Sequence, residues 1–387
     1  MVDELLEWLD LAPQNCFQAS VAKAPGKLFL VGEYAVLERE QPAILFAVDH
    51  YLTCRIQLSL QVGEGYLSSN SKEMQDWAYQ REAFTIEKAG NWRYVAAAVE
   101  VVEQLLKEMG RTVQDYQIRI ESDLVDGDGV KYGFGSSGAV TVATVRALLQ
   151  FYGFIPKHPL LIYKLAAIAM MRLDSNGSLA DLAVNAFGGW VYYQAPDRQW
   201  LRQQAATDQL VALLLSDWSY LRIERLIYPA DMTVLVGWTG KPASTDKMVH
   251  QLAVQDKERL AYRDFLARAK QVVAQVRVAF EQQDMLAMQA AVADYRHLLL
   301  KLEQQYHLTI ETKELTALVT LAQAYQYEAK SSGAGGGDCG VAIGQQGQNA
   351  VALAQAWRQQ GIKRIKVAVA PGWEAMNGTI TNGAAER

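Results

Sequence analysis

The chain has 387 residues, half of them hydrophobic and a fifth charged, with a formal net charge of -5. This is a globular composition with room for two domains, and the acidic balance excludes a general nucleic-acid binder, which would carry a basic face. Three scattered cysteines, Cys16, Cys54 and Cys339, are odd in number and lack zinc-site spacing, so neither a disulfide framework nor a metal ribbon is expected and a reducing compartment fits.

The first ten residues, M-V-D-E-L-L-E-W-L-D, are acidic where a secretory signal is basic, and read as a short amphipathic helix or a leader. From residue 18 the pattern is strand-like, breaks at A-P-G-K (24–27) in a turn or bulge, and resumes over 28–37. Lys27 then stands on a strand beside a kink. Residues 43–60 alternate as a half-exposed antiparallel strand, and the polar stretch 63–90 reads as hairpin and loop. Asn91 is placed to cap a helix whose apolar stripe includes Tyr94, Val95, Ala98, Val101, Val102, Leu105 and Leu106. A strand over 116–122 follows.

The run V-K-Y-G-F-G-S-S-G-A-V-T-V-A-T-V-R-A-L-L (130–149) is a glycine- and serine-rich loop feeding an apolar helix. Gly133, Gly135 and Gly138 allow a tight turn and a close backbone approach, while Ser136 and Ser137 put hydroxyls where a helix leaves its first amides unpaired. Such a helix start favours an anion, and phosphate above all. By itself the same pattern also serves as an ordinary capped turn.

Residues 158–172 read as a helix, and S-N-G-S-L-A-D-L-A-V-N-A-F-G-G-W (175–190) moves from a small-residue turn into a short one, with Asp181 in its first turn. A strand over 191–194 leaves the double glycine. A domain boundary is expected near Arg225, dividing the chain into 1–225 and 226–387. The strand over 232–239 and the polar turn G-K-P-A-S-T-D (240–246) come next. From 243 to 332 there is neither glycine nor proline, which predicts a set of antiparallel helices, with Asp284 and Thr312 starting later members. A second glycine loop, S-S-G-A-G-G-G-D-C-G-V-A-I (331–343), leads into a strand. A helix over 349–360, a strand over 363–369 and a mobile tail after Trp373 close the chain.

Three stretches, A-P-G-K-L-F-L-V-G-E-Y-A-V-L-E, Y-G-F-G-S-S-G-A-V and S-S-G-A-G-G-G-D-C-G-V-A, resemble in order and spacing the motifs of the GHMP kinase superfamily. Gly32-Glu33-Tyr34, where mevalonate kinases usually carry G-E-H, together with G-W-T-G-K-P-A-S-T-D-K-M-V (237–249) and N-G-S-L-A-D-L-A, looks like the phosphomevalonate kinase branch. The resemblance implies an α+β fold: an N-terminal ribosomal-protein-S5-like domain and a C-terminal ferredoxin-like domain with extra helices, the active site between them. It implies ATP and Mg²⁺ as cofactors and 5-phosphomevalonate as the small-molecule partner. Mevalonate kinase is the alternative within the superfamily, and a non-catalytic ligand sensor the alternative outside it.

Carried over position by position, Lys27 and Asp181 match the charged catalytic pair. Lys131, Gly133, Gly135, Ser136, Ser137, Gly138 and Ala139 match the loop around the ATP phosphates, with Ser137 the hydroxyl near Mg²⁺. Ser331, Ser332, Gly333, Gly335 and Gly336 match the substrate-side loop. Tyr34, Ser178, Lys241 and Ser244 are further candidates for holding the acceptor. Two departures stand out: residues 164–176 contain no glutamate to match the metal-binding one of mevalonate kinases, only Asp174, and Ala180 replaces the glycine common before the aspartate.

Overall fold

The computed structural model describes residues 1–11, 19–72, 74–241, 260–347 and 349–377. A short helix α1 (Val2–Leu6) and strand β1 (Leu9–Leu11) lead to the long pair β2 (Ala19–Val31) and β3 (Pro42–Leu58). The hairpin β4 (Glu64–Ser69) and β5 (Trp77–Gln80) follows, then α2 (Arg93–Glu108), β6 (Tyr116–Ser122) and α3 (Ser136–Phe151). Next come β7 (Phe154–Pro156), α4 (Pro159–Arg172), α5 (Ala180–Phe187), β8 (Trp190–Gln194), α6 (Arg198–Ala205), α7 (Leu210–Leu215) and β9 (Arg222–Leu226).

These strands form one sheet in the order β5-β4-β6-β3-β8-β9, with β2 also paired to β3 and β1 joined to β7 apart from it. β3 organises the layer: its first half is buried without a break because it is covered on both faces, and its second half opens to solvent toward the end, with Arg55, Gln57 and Leu58 exposed. β2 runs antiparallel to nearly all of it, with a register shift between Pro25 and Gly26. Proline cannot donate to a ladder, so the A-P-G-K break is accommodated as a bulge inside one strand.

The second half begins with β10 (Met232–Trp238) and continues with an antiparallel helix pair, α8 (Leu260–Gln282) and α9 (Met285–Tyr306). After α10 (Lys313–Ala324) come β11 (Glu328–Ser331), β12 (Cys339–Gln345), α11 (Ala350–Gln359), β13 (Lys363–Ile365) and α12 (Trp373–Asn377). Strand order in this antiparallel sheet is β11-β12-β10-β13. Alternation along β10 divides two cores: Leu235 joins Leu315, Leu318, Val319 and Trp357 under α10 and α11, whereas Val236 joins the main core that continues into the first domain. The mixed helix and sheet content is that of the expected α+β fold.

Four local expectations are corrected. The strand resumed at residue 28 stops at Val31, because Gly32 takes φ 105° and Tyr34 φ 63°, and a single 3₁₀ turn occupies Ala35–Leu37. Asn91 lies in another 3₁₀ turn, Gly90–Trp92, and the helix behind it starts at Arg93 with Trp92 at the cap position. Among its described residues, which begin at Leu260, the glycine-free run is helical only as far as Ala324. Gln326 at φ 67° breaks it, and β11 then pairs with β12, a tertiary partner that helical composition cannot announce. The last strand ends at Ile365, after which the chain crosses back to the first sheet: Asp49 N–H donates to Ala368 O at 3.0 Å and Ala370 N–H to Ala47 O at 2.9 Å. By contrast, Asp284 and Thr312 do cap α9 and α10, accepting from Ala287 N–H at 3.0 Å and Leu315 N–H at 3.4 Å.

Candidate active site between the two glycine loops

α3 begins at Ser136 behind Gly135, which is left-handed at φ 73°, and no side chain caps its first turn. Its first amides therefore face the cleft with no side chain in their place, the arrangement that favours an anion. Next to them lies a cavity of about 470 Å³ lined by Ser136, Ser137 and Lys131 on one side and by Ser69, Asn91 and Tyr94 on another. A larger cavity of about 670 Å³ lies between α11 and β13, lined by no residue of either glycine loop, so the smaller one is the cavity that adjoins the helix start.

Lys27 reaches this helix start because the bulge turns its strand there. Its backbone N–H donates to Phe134 O at 2.9 Å, and its side chain lies flat on Gly135, where an added Cβ would come within 2.8 Å of Lys27 Cε. The same ammonium stands 3.8 Å from where a Cβ would project on Gly333, so one lysine faces both loops. Asp181 sits in the first turn of α5 behind Leu179, held at φ 65°, and its Oδ2 would be 2.5 Å from a Cβ at Gly138. Close approach thus explains Gly135 and Gly138 separately.

Both charged groups open partly to the cleft and are packed on their other sides. Burial pushes the Lys27 ammonium below its ordinary range, opposed by Asp181 first, then Asp338 and Glu33. Burial likewise raises the Asp181 carboxyl, opposed by Lys27 and by the Leu182 and Asp181 backbone amides. The three carboxylates thus offset part of the burial that disfavours the charged lysine.

The second loop is folded onto the first domain. Ser332 Oγ accepts from Phe29 N–H at 2.8 Å and donates to Phe29 O at 3.0 Å, and Gly336 N–H donates to Ile310 O at 2.9 Å. Tyr34 Oη donates to Ala334 O at 2.5 Å. Ser331 is buried, and Gly335 presses on the Ile310 carbonyl. Ser178 Oγ accepts from Ala180 N–H at 3.3 Å, and its carbonyl accepts from Tyr193 Oη at 2.7 Å, which fixes the turn before Asp181. Gly138 and Ala139 are buried in the first turn of α3. The Lys241 ammonium is turned away to Glu314 Oε1 at 2.5 Å, holding that carboxylate down to about 2. Ser244 lies outside the described residues.

Sequence reasoning missed four participants. Asn185, one turn after Asp181, donates from Nδ2 to Pro25 O at 2.5 Å and ties α5 to the bulge that presents Lys27. Asp338 packs against Gly133, where a Cβ would lie 2.5 Å from its Cγ, so the two glycine loops interlock. Glu33 and Lys330 form a buried ion pair beneath the second loop. Asn185 and Asp338 had signals, a polar residue on an apolar helix face and a charge within a glycine run; Glu33 lay in the G-E-Y motif, but nothing local pointed to Lys330 as its partner. Cys339 is buried, its thiol is pushed well up by burial, and Sγ donates to Tyr132 O at 3.1 Å.

An open helix start with a carboxylate beside it, and a lysine that also faces a second glycine loop, is an arrangement suited to phosphoryl transfer, in which positioning and charge neutralisation outweigh covalent chemistry. Residues 93–189 match the family model for the GHMP kinase N-terminal domain and residues 276–363 that for the C-terminal domain. The chain is 34% identical to a phosphomevalonate kinase of Streptomyces sp. (strain CL190), over 88% of this chain and 95% of that one. A mevalonate kinase of Thermococcus sibiricus is 26% identical over 86% of this chain and 92% of its own length. Among solved structures, Streptococcus pneumoniae phosphomevalonate kinase in complex with phosphomevalonate and AMPPNP superposes with a TM-score of 0.79 and 29% identity, covering 90% of this chain and 99% of that one. This chain belongs to the GHMP kinase family.

Proposed function

We propose that the protein transfers the γ-phosphoryl group of ATP to the phosphate of 5-phosphomevalonate, giving ADP and 5-diphosphomevalonate. The observation that carries this reading is the 34% identity to a phosphomevalonate kinase over nearly the whole chain, against 26% for the mevalonate kinase. The nucleotide occupies the cavity beside α3, with its phosphates on the open amides of Ser136 to Gly138. The acceptor lies between Lys27 and the second glycine loop.

The acceptor phosphate has its second pKa near ~6, so at neutral pH its attacking oxygen is already ionised. Lys27 neutralises the charge gathered by acceptor and γ-phosphoryl, and Asp181 orients the ammonium. Mg²⁺ is a hard cation that binds through one or two protein oxygens plus substrate phosphates. The hydroxyl of Ser137, which lines the cavity beside the helix start, fits that demand. Ser137 would hold the ion, which would supply further charge neutralisation on the phosphates. No described helix is long and apolar enough to cross a membrane, and with two buried free thiols, Cys54 and Cys339, we assign the enzyme to the cytoplasm.

The test is to incubate the purified protein with ATP, Mg²⁺ and either 5-phosphomevalonate or mevalonate. ADP release with 5-phosphomevalonate alone is expected. Release only with mevalonate would move the acceptor to a hydroxyl, and release with neither would favour a sensor.

A further inference from the structure

Among the described residues, the contact between the two domains contains one fully buried ion pair, and its position is unlike that of the surface pairs. Lys330 is 0% exposed and Glu33 2%. Glu33 belongs to the turn that ends β2, and Lys330 is on β11, immediately before the second glycine loop. The Lys330 ammonium donates to Glu33 Oε1 and to Ser331 O, the latter at 2.5 Å. Glu33 Oε1 also accepts from Gly333 N–H at 3.3 Å. Its own carbonyl accepts from Tyr295 Oη at 2.8 Å, and the Tyr295 ring lies 5.8 Å from the Lys330 ammonium. Glu33 Oε2 has no hydrogen-bond partner among the described residues.

Such an arrangement is poorly explained as a stabilising device. Desolvating two charges costs about as much as their attraction returns, and hydrophobic side chains of similar volume commonly serve stability as well or better. What an apolar pair would lack is direction. A carboxylate that takes one ammonium and one backbone amide fixes the height and rotation of the loop that carries both. Here that loop carries Gly333, where an added Cβ would lie 3.8 Å from the Lys27 ammonium. The neighbouring Tyr34 to Ala334 and Ser332 to Phe29 bonds fasten the same segment to the same strand and turn. Glu33 further acts on Lys27 through its charge, helping to keep that ammonium protonated.

We propose that Glu33 and Lys330 are positioning residues: their buried pair sets the second glycine loop against Lys27 and so shapes the acceptor side of the site, leaving the nucleotide side alone. The inference rests on the kinase reading for its kinetic arm. Its structural arm, amide exchange of residues 331–337, is independent of which acceptor is used.

The experiment compares the full-length wild type with Glu33→Gln, Lys330→Met and the double variant, which leaves no uncompensated buried charge. Thermal unfolding, hydrogen–deuterium exchange of residues 331–337, and KM for 5-phosphomevalonate and for ATP are measured. For the double variant we expect a cooperative melt, faster exchange confined to the loop, and an acceptor KM raised by about tenfold or more, as expected when a bound group is slightly misplaced. The KM for ATP should stay within about twofold, well below the tenfold that 1.4 kcal/mol represents. A folded double variant with unchanged exchange and acceptor KM overturns the inference. So does an equal rise in both KM values, and so does a double variant that does not fold, because the pair would then hold the core rather than the loop. A wild type that exchanges as expected but ignores 5-phosphomevalonate sinks the substrate reading, and the exchange comparison still decides this one.

Discussion

Lys27 and Asp181 have different tasks if the acceptor is a phosphate. A hydroxyl acceptor gains most from a base, whereas an ionised phosphate gains most from a cation. Loss of a general base typically costs ~10²–10⁴-fold; Asp181→Asn is therefore expected at or below the low end, with Lys27→Met clearly worse in kcat. Steady-state rates of both variants between neutral and alkaline pH decide it: if Asp181→Asn is the more damaging and recovers as hydroxide replaces the base, the acceptor is a hydroxyl. Ser137 allows a separate check. Because α3 has no side-chain cap to lose, Ser137→Ala should cost less stability than the ~1 kcal/mol of an ordinary cap, while the Mg²⁺ concentration for half-maximal rate rises. Identical magnesium titrations of wild type and variant would remove Ser137 from the metal site.

At the scale of elements, the two glycine loops differ in what their glycines are for. In the first, Gly135 and Gly138 leave room for Lys27 and Asp181. In the second, Gly335 serves packing, since it combines φ 76° with direct pressure on the Ile310 carbonyl. Gly361, after α11, has the same φ of 76° and nothing within 4 Å of a Cβ. A left-handed backbone costs a non-glycine residue about 1–3 kcal/mol. Gly361→Ala should show that cost alone, and Gly335→Ala distinctly more, with a raised acceptor KM. Urea unfolding of the two variants side by side measures the difference; equal losses would mean that the Ile310 loop gives way freely. The strand β11 carries the same lesson in reverse, because its residues lie within a run of helix-forming composition and are extended only where β12 receives them.

Over the whole molecule, long-range ties hold the elements in place, and one of them reports on pH. Lys164 on α4 is 4% exposed, donates to Leu214 O at 2.7 Å and Ser216 O at 2.8 Å, and lies between the rings of Trp8 and Trp218 at 5.6 and 5.2 Å. Burial pushes its ammonium down to about 8 from 10.5. Between these values the unfolded chain binds more protons than the folded one, so stability from this group rises with pH across that window and is flat below it. The slope approaches ~1.4 kcal/mol per pH unit at most. Subtracting the unfolding free energy of Lys164→Met from that of wild type at pH 7 to 9.5 isolates it. A difference that stays constant or falls would show that the two carbonyls and two indoles keep Lys164 charged.

The sequence by itself determined the glycine loops, the helix block, the caps at Asp284 and Thr312 and the acid in the first turn of α5, because turns, caps and helical periodicity are local physics written in neighbouring residues. With the resemblance it also named Lys27 and Asp181 as a pair. Only the tertiary structure decided how they are presented: the bulge at Pro25 that turns Lys27 inward, the Asn185 bond to Pro25 that sets α5 against it, and the turn of Lys241 away to Glu314. It also decided that Ser332 spends its hydroxyl on the Phe29 backbone, and that Glu33 meets Lys330 from 297 positions away. Such pairings leave no local trace, since a buried charge is tolerable only through a partner that the fold brings to it.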